Sequence, residues 1–441
     1  MLWLIKHNFI LGENIVMMRK FSVLGTVAVA CLIAASTSWS QVGIFDAAVD
    51  VDGGNLGAAG STEYDPALDR YTVNGSGHDI WDAADDFQFV YTEWSGDFVL
   101  EADTGVSGGL PTQGWIKSVL MARQDLSPGS ANAATRLRRD GQYSIQWRDV
   151  ADDTDSKGGT DAALRVTIPN PSRQRLTRLG DTFICSYLSA DGEWVEVDRH
   201  DLVLTDPILV GLGVTAHDNG QIATGTFTGV DLGAPVDGTS FAARDIALPD
   251  RLGAEGSSNF ADGVFTITGS GWDVWEADDA FQFAYTRVRG DFTLIADVSI
   301  DGGLASQAWI KSMLMARQNL TPGSRNVTTR VRRDGQYSMQ WRTIQADTDS
   351  KGSTAGDARP VGLNPSKQRL DRVGNTFICS YMDEAGAWVE VDRHDVVLFD
   401  PIMVGLGVCA HDIGEIATGT FSNIELTSTG KSGAANWELF N

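Results

Sequence analysis

The chain has 441 residues, 42% of them hydrophobic, and a formal net charge of −24. Its length accommodates two or three domains. A chain this acidic lacks the basic surface that nucleic acids and anionic lipids require, so the composition excludes both as partners.

The first forty residues predict an export signal. Arg19 and Lys20 form a basic start, residues 21–35 are mostly apolar, and Ser38 and Ser40 are small residues just before Gln41. This order is typical of a cleaved signal peptide, and it makes residues 1–16 an over-extended start. We therefore expect residues 1–40 to be removed and the mature chain to be secreted, periplasmic or extracellular, without membrane insertion.

Beyond this segment the chain contains the same sequence twice. Residues 75–227 align without a gap to residues 269–421, 194 positions later, and by direct count 99 of the 153 positions are identical. Solenoid repeats are only about 20–50 residues long, so a period of this length predicts a duplicated domain. We expect a β-sandwich at 41–232, a linker at 233–240, a second β-sandwich at 241–427 and a mobile tail at 428–441.

Short strands follow one another through each copy. The clearest in the first copy are residues 87–91, 98–102, 116–123, 182–187, 194–200 and 210–216. They are rich in β-branched and aromatic residues and are bounded by clusters of glycine, aspartate, proline and serine. This pattern predicts an all-β fold, a sandwich or a barrel.

One hairpin can be placed in register. Residues 135–138 and 142–148 flank Arg139, Asp140 and Gly141. A three-residue turn with Gly141 in the left-handed conformation puts the apolar side chains on one face and the arginines and glutamines on the other. A two-residue turn mixes the faces and buries arginines, so we expect the longer turn and an arginine row that faces outward.

The order of motifs in each copy carries a family resemblance. In the first copy the motifs are GSGHDIW at 75–81, FQF at 87–89, GDF at 96–98, the segment 117–130, QWR at 146–148 and VGLGVTAHD at 210–218. Together they resemble concanavalin A-like, laminin-G-like domains of the lectin and glucanase superfamily, in secreted bacterial proteins of the kind found beside Tol-type biopolymer-transporter proteins. The resemblance implies two tandem concanavalin A-like β-sandwich (jelly-roll) domains. It does not imply one activity, because the superfamily includes lectins, adhesion modules and some glucanases.

The strand at residues 194–200 offers candidate catalytic carboxylates. Glu196 and Asp198 share one face of this strand, and Glu390 and Asp392 are their counterparts. Retaining glucanases of the superfamily that the chain resembles carry a strand of the type Glu-x-Asp-x-(x)-Glu, whose carboxylates act as nucleophile and acid/base. Here the terminal glutamate is missing, so a polar strand that faces solvent is the simpler interpretation.

The outward row of the hairpin is the best candidate for glycan binding. Arginine forks and glutamine amides suit sugar hydroxyl and carboxylate groups. Lys117 and Arg123 extend the row, and Trp81 or Trp115 offers a stacking surface. The alternative is that these arginines pair with nearby aspartates and glutamates. The predicted ligand-binding residues are Arg136, Arg138, Gln146 and Arg148, with Arg330, Arg332, Gln340 and Arg342 in the second copy.

Signals for metals and cofactors are weaker, and no cofactor is certain. Residues 153–158 and 347–352 resemble a calcium loop, but a lysine occupies the third ligand position. Residues 50–55 form a second acidic loop, so structural calcium stays open as an alternative. His217 beside Asp218 recurs in the second copy, where it predicts a structural hydrogen bond.

The cysteines do not form a framework of disulfides. Cys185 and Cys379 occupy equivalent strands, and Cys409 has no counterpart in the first copy. A bridge between Cys379 and Cys409 is therefore available to the second copy alone.

Taken from the sequence, the leading function is that of a secreted, non-catalytic binding or adhesion protein that recognises extracellular polysaccharide through paired β-sandwich domains. One alternative is a structural or protein-interaction module of the cell envelope. The other is a glycoside hydrolase or lyase that uses the strand of Glu196 and Asp198.

Overall fold

The structure, a computed structural model, describes residues 41–153, 165–347, 351–352 and 359–429. Over these residues the chain consists of strands, turns and loops, without a helix. The all-β class predicted from the sequence is confirmed. The predicted signal peptide and most of the predicted tail lie outside the described residues.

Strands β1 to β14 belong to the first copy. Their bounds are β1 (Ala47–Asp52), β2 (Ser61–Asp65), β3 (Arg70–Gly77), β4 (Asp86–Trp94), β5 (Phe98–Gly108), β6 (Lys117–Arg123), β7 (Asn132–Arg138), β8 (Gln142–Arg148), β9 (Val166–Thr167), β10 (Ser172–Leu179), β11 (Thr182–Leu188), β12 (Trp194–Asp201), β13 (Ile208–Thr215) and β14 (Asp218–Pro235). Each of the strands predicted above overlaps one of these.

Strands β15 to β30 belong to the second copy. Their bounds are β15 (Ala242–Ile246), β16 (Ser257–Ala261), β17 (Val264–Gly271), β18 (Val274–Trp275), β19 (Asp278–Asp279), β20 (Phe281–Val288), β21 (Phe292–Gly302), β22 (Lys311–Arg317), β23 (Asn326–Arg332), β24 (Tyr337–Arg342), β25 (Lys351–Gly352), β26 (Ser366–Val373), β27 (Thr376–Met382), β28 (Trp388–Asp395), β29 (Ile402–Cys409) and β30 (Asp412–Ser428).

The duplicated sequence produces a duplicated strand order. In the first copy one sheet runs β1-β4-β13-β6-β7-β8-β9, which we call the front sheet, and the back sheet runs β2-β3-β14-β5-β10-β11-β12. In the second copy the corresponding orders are β15-β20-β29-β22-β23-β24-β25 and β16-β17-β30-β21-β26-β27-β28. Neighbouring strands run antiparallel, for example β13 with β4 and β6.

In each copy, apolar side chains from both sheets meet in a core between them. In the first copy Leu120 and Leu137 of the front sheet join Leu100, Leu176 and Phe227 of the back sheet, all fully buried. Removing a side chain of this size from water stabilises the fold by about 1.5–3 kcal/mol. This two-layer packing agrees with a β-sandwich.

The hairpin of β7 and β8 has the register that the sequence predicts. Leu137 pairs with Tyr143, which leaves a three-residue turn, and Gly141 has a φ of 82°. Leu137 and Tyr143 lie in the core, and the arginines lie on the opposite face of the front sheet. A side chain at Gly141 would meet the carbonyl oxygen of Ile168 at 2.5 Å, so glycine is required there by space as well as by φ.

The two copies share one continuous sheet. Ala234 and Pro235 at the end of β14 pair with Ala243 and Ala242 of β15, so the back sheet of the first copy continues into the front sheet of the second. The predicted linker at 233–240 overlaps this continuous sheet. Its first three residues belong to β14, and the amide of Val236 closes the turn by donating to the carbonyl of Phe241 at 3.0 Å.

Candidate functional site

A pocket opens on the outer face of each front sheet. The first pocket, of 310 Å³, is lined by Asp79, Trp81, Trp115, Lys117, Arg136, Arg165 and His217. The second pocket, of 330 Å³, is lined by Asp273, Trp275, Trp309, Lys311, Arg330, Gln340, Arg359 and His411. Apart from Gln340, these second-pocket residues are the counterparts of the first set, so the duplication has preserved one site twice.

A lysine and a histidine hold the carboxylate at the bottom of each pocket. Asp79 is in contact with the ammonium of Lys117, and one ring nitrogen of His217 lies 3.0 Å from its other oxygen. Burial alone would raise the pKa of Asp79, but Lys117 and His217 outweigh it and hold the pKa well below its usual range. Asp79 therefore stays ionised and orients the imidazole.

Lys117 is the first residue of β6, a strand whose residues are all buried, and it is only 1% exposed. Burial lowers the pKa of its ammonium, and Asp79 opposes that effect. Lys117 can therefore offer its charge at short range to a group that enters the pocket, without competing water.

The histidine sits in a backbone conformation that few residues adopt. His217 follows β13 with a φ of 51°, and His411 has the same value. A residue other than glycine rarely takes a positive φ, and such positions concentrate at functional sites. A glutamine side chain braces the turn in both copies, because Gln113 donates to the carbonyl of His217 at 3.1 Å and Gln307 does the same for His411.

Aromatic rings form the mouth of each pocket. The rings of Trp115 and His217 are 6.0 Å apart between centroids, and Trp115 is 45% exposed. From behind, the guanidinium of Arg138 packs 4.0 Å from the centre of the Trp115 ring. An exposed tryptophan supported in this way presents a flat apolar surface of the kind that stacks on a sugar ring.

In the structure, the residues of the predicted ligand-binding row make different contacts. Arg136 lines the first pocket, with its Nε buried and without a hydrogen-bond partner. Arg138 supports Trp115 and pairs with Asp140 at 2.8 Å. Gln146 donates to the carbonyl of Ile80 at 2.8 Å. In the second copy Arg330, Arg332 and Gln340 make corresponding contacts, except that the Nε of Arg330 donates to Ser338 at 3.0 Å and Gln340 also lines the pocket. Ligand binding by these residues stays a prediction.

Arg148 and Arg342 lie on the predicted outer face of the sheet, but the expectation that they are open to a ligand there is wrong. Arg148 is 1% exposed and its guanidinium binds Asp85 at 2.6 Å, while Arg342 binds Asp279 at 2.7 Å. Arg148 also donates to the carbonyl of Asp82 at 2.8 Å. The loop that carries Asp85 folds over this end of the sheet, so the residue fixes that loop and is out of reach of a ligand.

The candidate catalytic strand lies apart from both pockets. Arg199 holds both oxygens of Glu196, at 2.7 and 2.6 Å, and these side chains are exposed on β12, at the edge of the back sheet. The hydrogen bonds from Arg199 lower the pKa of Glu196. A general acid needs the opposite shift, so this geometry does not favour proton donation by Glu196. Glu390 is held by Arg393 in the same way.

The described residues give no support to a metal centre. Among them, no group of three or more histidine, cysteine, aspartate and glutamate side chains is arranged to hold a metal ion. In the acidic loop at 50–55, Asp50 accepts a hydrogen bond from the amide of Gly60 at 3.0 Å. The calcium-like loops at 153–158 and 347–352 lie largely outside the described residues. Cys185, Cys379 and Cys409 are buried free thiols.

The sequence patterns did not single out Asp79, and they paired His217 with its neighbour Asp218. In the structure the partner of His217 is Asp79, 138 positions earlier in the chain. The available signal was the recurrence of Asp79, Lys117 and His217 at equivalent positions in both copies. Recurrence alone does not show which residues meet.

Comparisons with known proteins give limited information. No family model matches the sequence, and neither does any curated protein. Solved structures similar to this chain include a functionally unknown protein from Saccharomyces cerevisiae, 17% identical with a TM-score of 0.33, which covers 42% of this chain and 97% of its own. A GH43 protein from Bacillus licheniformis is 9% identical with a TM-score of 0.29 and covers 84% of this chain and 86% of its own. Xylan β-1,4-xylosidase from Bacillus halodurans is 9% identical with a TM-score of 0.30, over 87% and 88%.

These findings correct the leading prediction from the sequence. The prediction of a non-catalytic binding protein is wrong, because the solved structures that match over most of both chains include glycoside hydrolases. An association with Tol-type proteins has no support. At TM-scores below 0.5 the likeness transfers no activity to this chain, so the chemistry has to be argued from the pockets. The described residues contain no helix long and apolar enough to span a bilayer.

Proposed function

We propose that this protein is a secreted enzyme that cleaves polysaccharides, with the first and second pockets as two equivalent active sites. One observation carries the proposal. In both pockets a histidine in a strained backbone conformation lies against an ionised aspartate and a buried lysine, beside an exposed tryptophan. If the histidine only made a structural hydrogen bond to the aspartate, neither the lysine nor the aromatic surface would be needed.

Each part of the pocket has a chemical task in this proposal. Trp115 and Trp309 stack on sugar rings and place the chain across the pocket. His217 and His411 transfer the proton, because imidazole exchanges protons near neutral pH. Asp79 holds the ring of His217 through Nδ1, so that Nε2 can reach the substrate. In the second pocket Asp273 holds the ring of His411 through Nε2 instead.

The architecture and location of the enzyme are part of the same proposal. Two sheets face each other in each copy and enclose one core, which supports the assignment of two tandem concanavalin A-like sandwiches. The signal pattern at residues 1–40 supports export, where polysaccharides of the cell surface are accessible.

The first prediction tests the histidines. We expect His217→Asn with His411→Asn to lower the release of reducing ends from polysaccharides by about 10²–10⁴-fold, the usual contribution of a positioned acid or base. Asparagine is chosen because it tolerates a positive φ, so the turn should stay intact and the melting temperature should change little. The measurement is a panel of neutral and acidic polysaccharides scored for reducing ends.

The matched control changes the carboxylates that the sequence suggested. Glu196→Gln with Glu390→Gln should leave the release of reducing ends unchanged, since both side chains lie outside the pockets. If this variant is inactive and the histidine variant is active, the reaction takes place on β12 and β28 instead. If the wild-type chain releases nothing from any polymer, the enzymatic proposal fails.

A further inference from the structure

Both pockets are cationic within a strongly acidic protein. Among the described lining residues of the first pocket, one carboxylate, Asp79, lies with the basic side chains of Lys117 and Arg136, and the second pocket repeats this arrangement. The chain as a whole carries a net charge of −24. A local excess of positive charge in a concave site attracts anions, and the acidic remainder of the surface repels them. The pockets are therefore suited to an anionic group on the substrate.

Arg136 shows where that group would bind. Its side chain is 3% exposed, its Nη2 donates to Gln142 at 3.2 Å, and its Nε has no hydrogen-bond partner, whereas the Nε of its counterpart Arg330 donates to Ser338 at 3.0 Å. Burial, together with the neighbouring charges of Arg138 and Arg165, lowers the pKa of Arg136 to about 10. A buried guanidinium with an unused donor, surrounded by other cations, is stabilised when an anion enters.

The carboxylate of Asp79 is unsuited to protonating a leaving group. Lys117 and His217 occupy it and keep it ionised. What the pocket offers instead is an imidazole, His217, beside two basic side chains, Lys117 and Arg136. This set matches a reaction in which a proton is removed from a carbon next to a carboxylate, because the cations neutralise the negative charge that develops there.

We infer that the substrate is a polysaccharide containing uronate sugars, that Arg136 and Lys117 bind the sugar carboxylate, and that the chain is cleaved by β-elimination. This inference rests on the proposed function. His217 takes the proton from C5, the carbon beside the carboxylate, and the electron pair of that bond forms a double bond between C4 and C5. The bond between C4 and the glycosidic oxygen breaks, and the imidazolium returns the proton to that oxygen. No water is consumed, and each cleavage yields one reducing end and one unsaturated uronate.

The products distinguish this inference from the proposed function. Polygalacturonate, alginate and their carboxyl-reduced forms are incubated with the whole mature chain, and reducing ends and the ultraviolet absorbance of the conjugated double bond are both measured. We expect equal molar amounts of the two products from a uronate polymer and neither from its reduced form. Reducing ends without the double bond would mean hydrolysis, which overturns the inference and leaves the proposed function standing. Neither product from any polymer overturns both.

Variants of the arginine test the binding part. Arg136→Gln with Arg330→Gln should lower kcat/KM on the uronate polymer by about 10- to 100-fold, the loss of a charge-assisted hydrogen bond. Lysine at both positions should restore part of the activity, which a purely structural defect would not allow. Arg199→Gln with Arg393→Gln, at exposed arginines of β12 and β28, is the matched control and should be neutral. An unchanged kcat/KM in the first variant would overturn the role of Arg136.

Discussion

His78 and Trp272 occupy equivalent positions beside the two catalytic histidine candidates. The rings of His78 and His217 are 5.7 Å apart between centroids, and those of Trp272 and His411 are 6.1 Å apart. Trp272 is 47% exposed. The second pocket therefore has one more exposed tryptophan at its mouth than the first, while the lysine, aspartate and pocket arginines are the same.

From this difference we expect the second pocket to bind sugar chains more tightly. An additional aromatic contact contributes about 0.5–1.5 kcal/mol beyond its buried area. Calorimetric titration of the wild-type chain with an oligosaccharide product should show two unequal sites. Trp272→His should make them equal at the weaker affinity, and His78→Trp should make them equal at the stronger one. Two identical sites in the wild-type chain would contradict this reasoning.

For single residues, the sequence showed which residues are candidates better than it showed which residues contact each other. It identified Arg136 and Trp115 as candidates, because arginine forks suit sugar hydroxyl and carboxylate groups and tryptophan offers a stacking surface. It assigned only a structural hydrogen bond to His217. It could not bring Lys117 to Asp79, because these residues belong to different elements and no local periodicity relates them. Only the packing of the loop at 78–85 against β6 does so.

Strand β8 and the loop at 78–85 are joined by a buried ion pair between Arg148 and Asp85, and Arg123 of β6 lies 3.6 Å from the same carboxylate. Arg148, at the end of β8, and Asp85 both have fully buried side chains. Arg148 also donates to the carbonyls of Asp82 and Ser130, at 2.8 and 2.9 Å. The loop carries Asp79 and Trp81 into the pocket, so a stability contact at its far end also fixes the position of the site.

We therefore expect Arg148→Met to destabilise the fold and to impair the first pocket. Removing one partner of a buried ion pair costs about 3–5 kcal/mol, and we expect the lower end of this range because Arg123 remains 3.6 Å from Asp85. Urea titration would measure this loss, and calorimetric titration would show that the second pocket still binds. The comparison is Arg199→Met, an exposed arginine of β12, which should unfold like the wild-type chain. Equal stability of the two variants would show that Arg148 does not secure the loop.

The elements themselves were largely predictable. Alternation of apolar and polar residues fixed the register of β7 and β8, because a slip of one residue would bury arginines among leucines. What the pattern could not show is that the polar face is itself covered. The loop that carries Asp85 lies 63 residues before Arg148, and a local pattern cannot distinguish a solvated polar face from one buried under a distant loop.

The two copies diverge where they meet. Arg287 of the second copy donates to the carbonyl of Gly229 and lies 3.4 Å from Asp231, both in β14 of the first copy. The counterparts of Arg287 and Asp231 are Glu93 and Glu425. These charges have been adapted to one junction rather than to the fold of a single copy. Together with the sheet that continues from β14 into β15, this junction joins the two copies into one connected structure rather than two independently packed domains.

This junction contains a carboxyl group that should make stability depend on pH. Asp69 is buried, accepts a hydrogen bond from the hydroxyl of Tyr64 at 2.9 Å, and faces Arg287 and Asp231. Burial raises the pKa of Asp69 from 3.8 to about 6, although Arg287 opposes the shift. Between these two values the folded chain holds the proton more tightly than the unfolded chain. Ionising Asp69 therefore costs stability above pH 6, and the cost is relieved as the pH falls through 6 towards 4.

The change Asp69→Asn removes the titrating group, so it should remove this dependence on pH. Relative to the variant, the wild-type chain should gain up to about 3 kcal/mol in free energy of unfolding between pH 7 and pH 4, since each pKa unit corresponds to about 1.4 kcal/mol. Denaturant titrations of both chains at a series of pH values would measure the difference. Asp191→Asn, in an exposed turn, is the matched change and should follow the wild-type chain throughout. A constant difference between wild type and Asp69→Asn would mean that water reaches this carboxyl group, and that the junction between the copies is looser than its buried charges indicate.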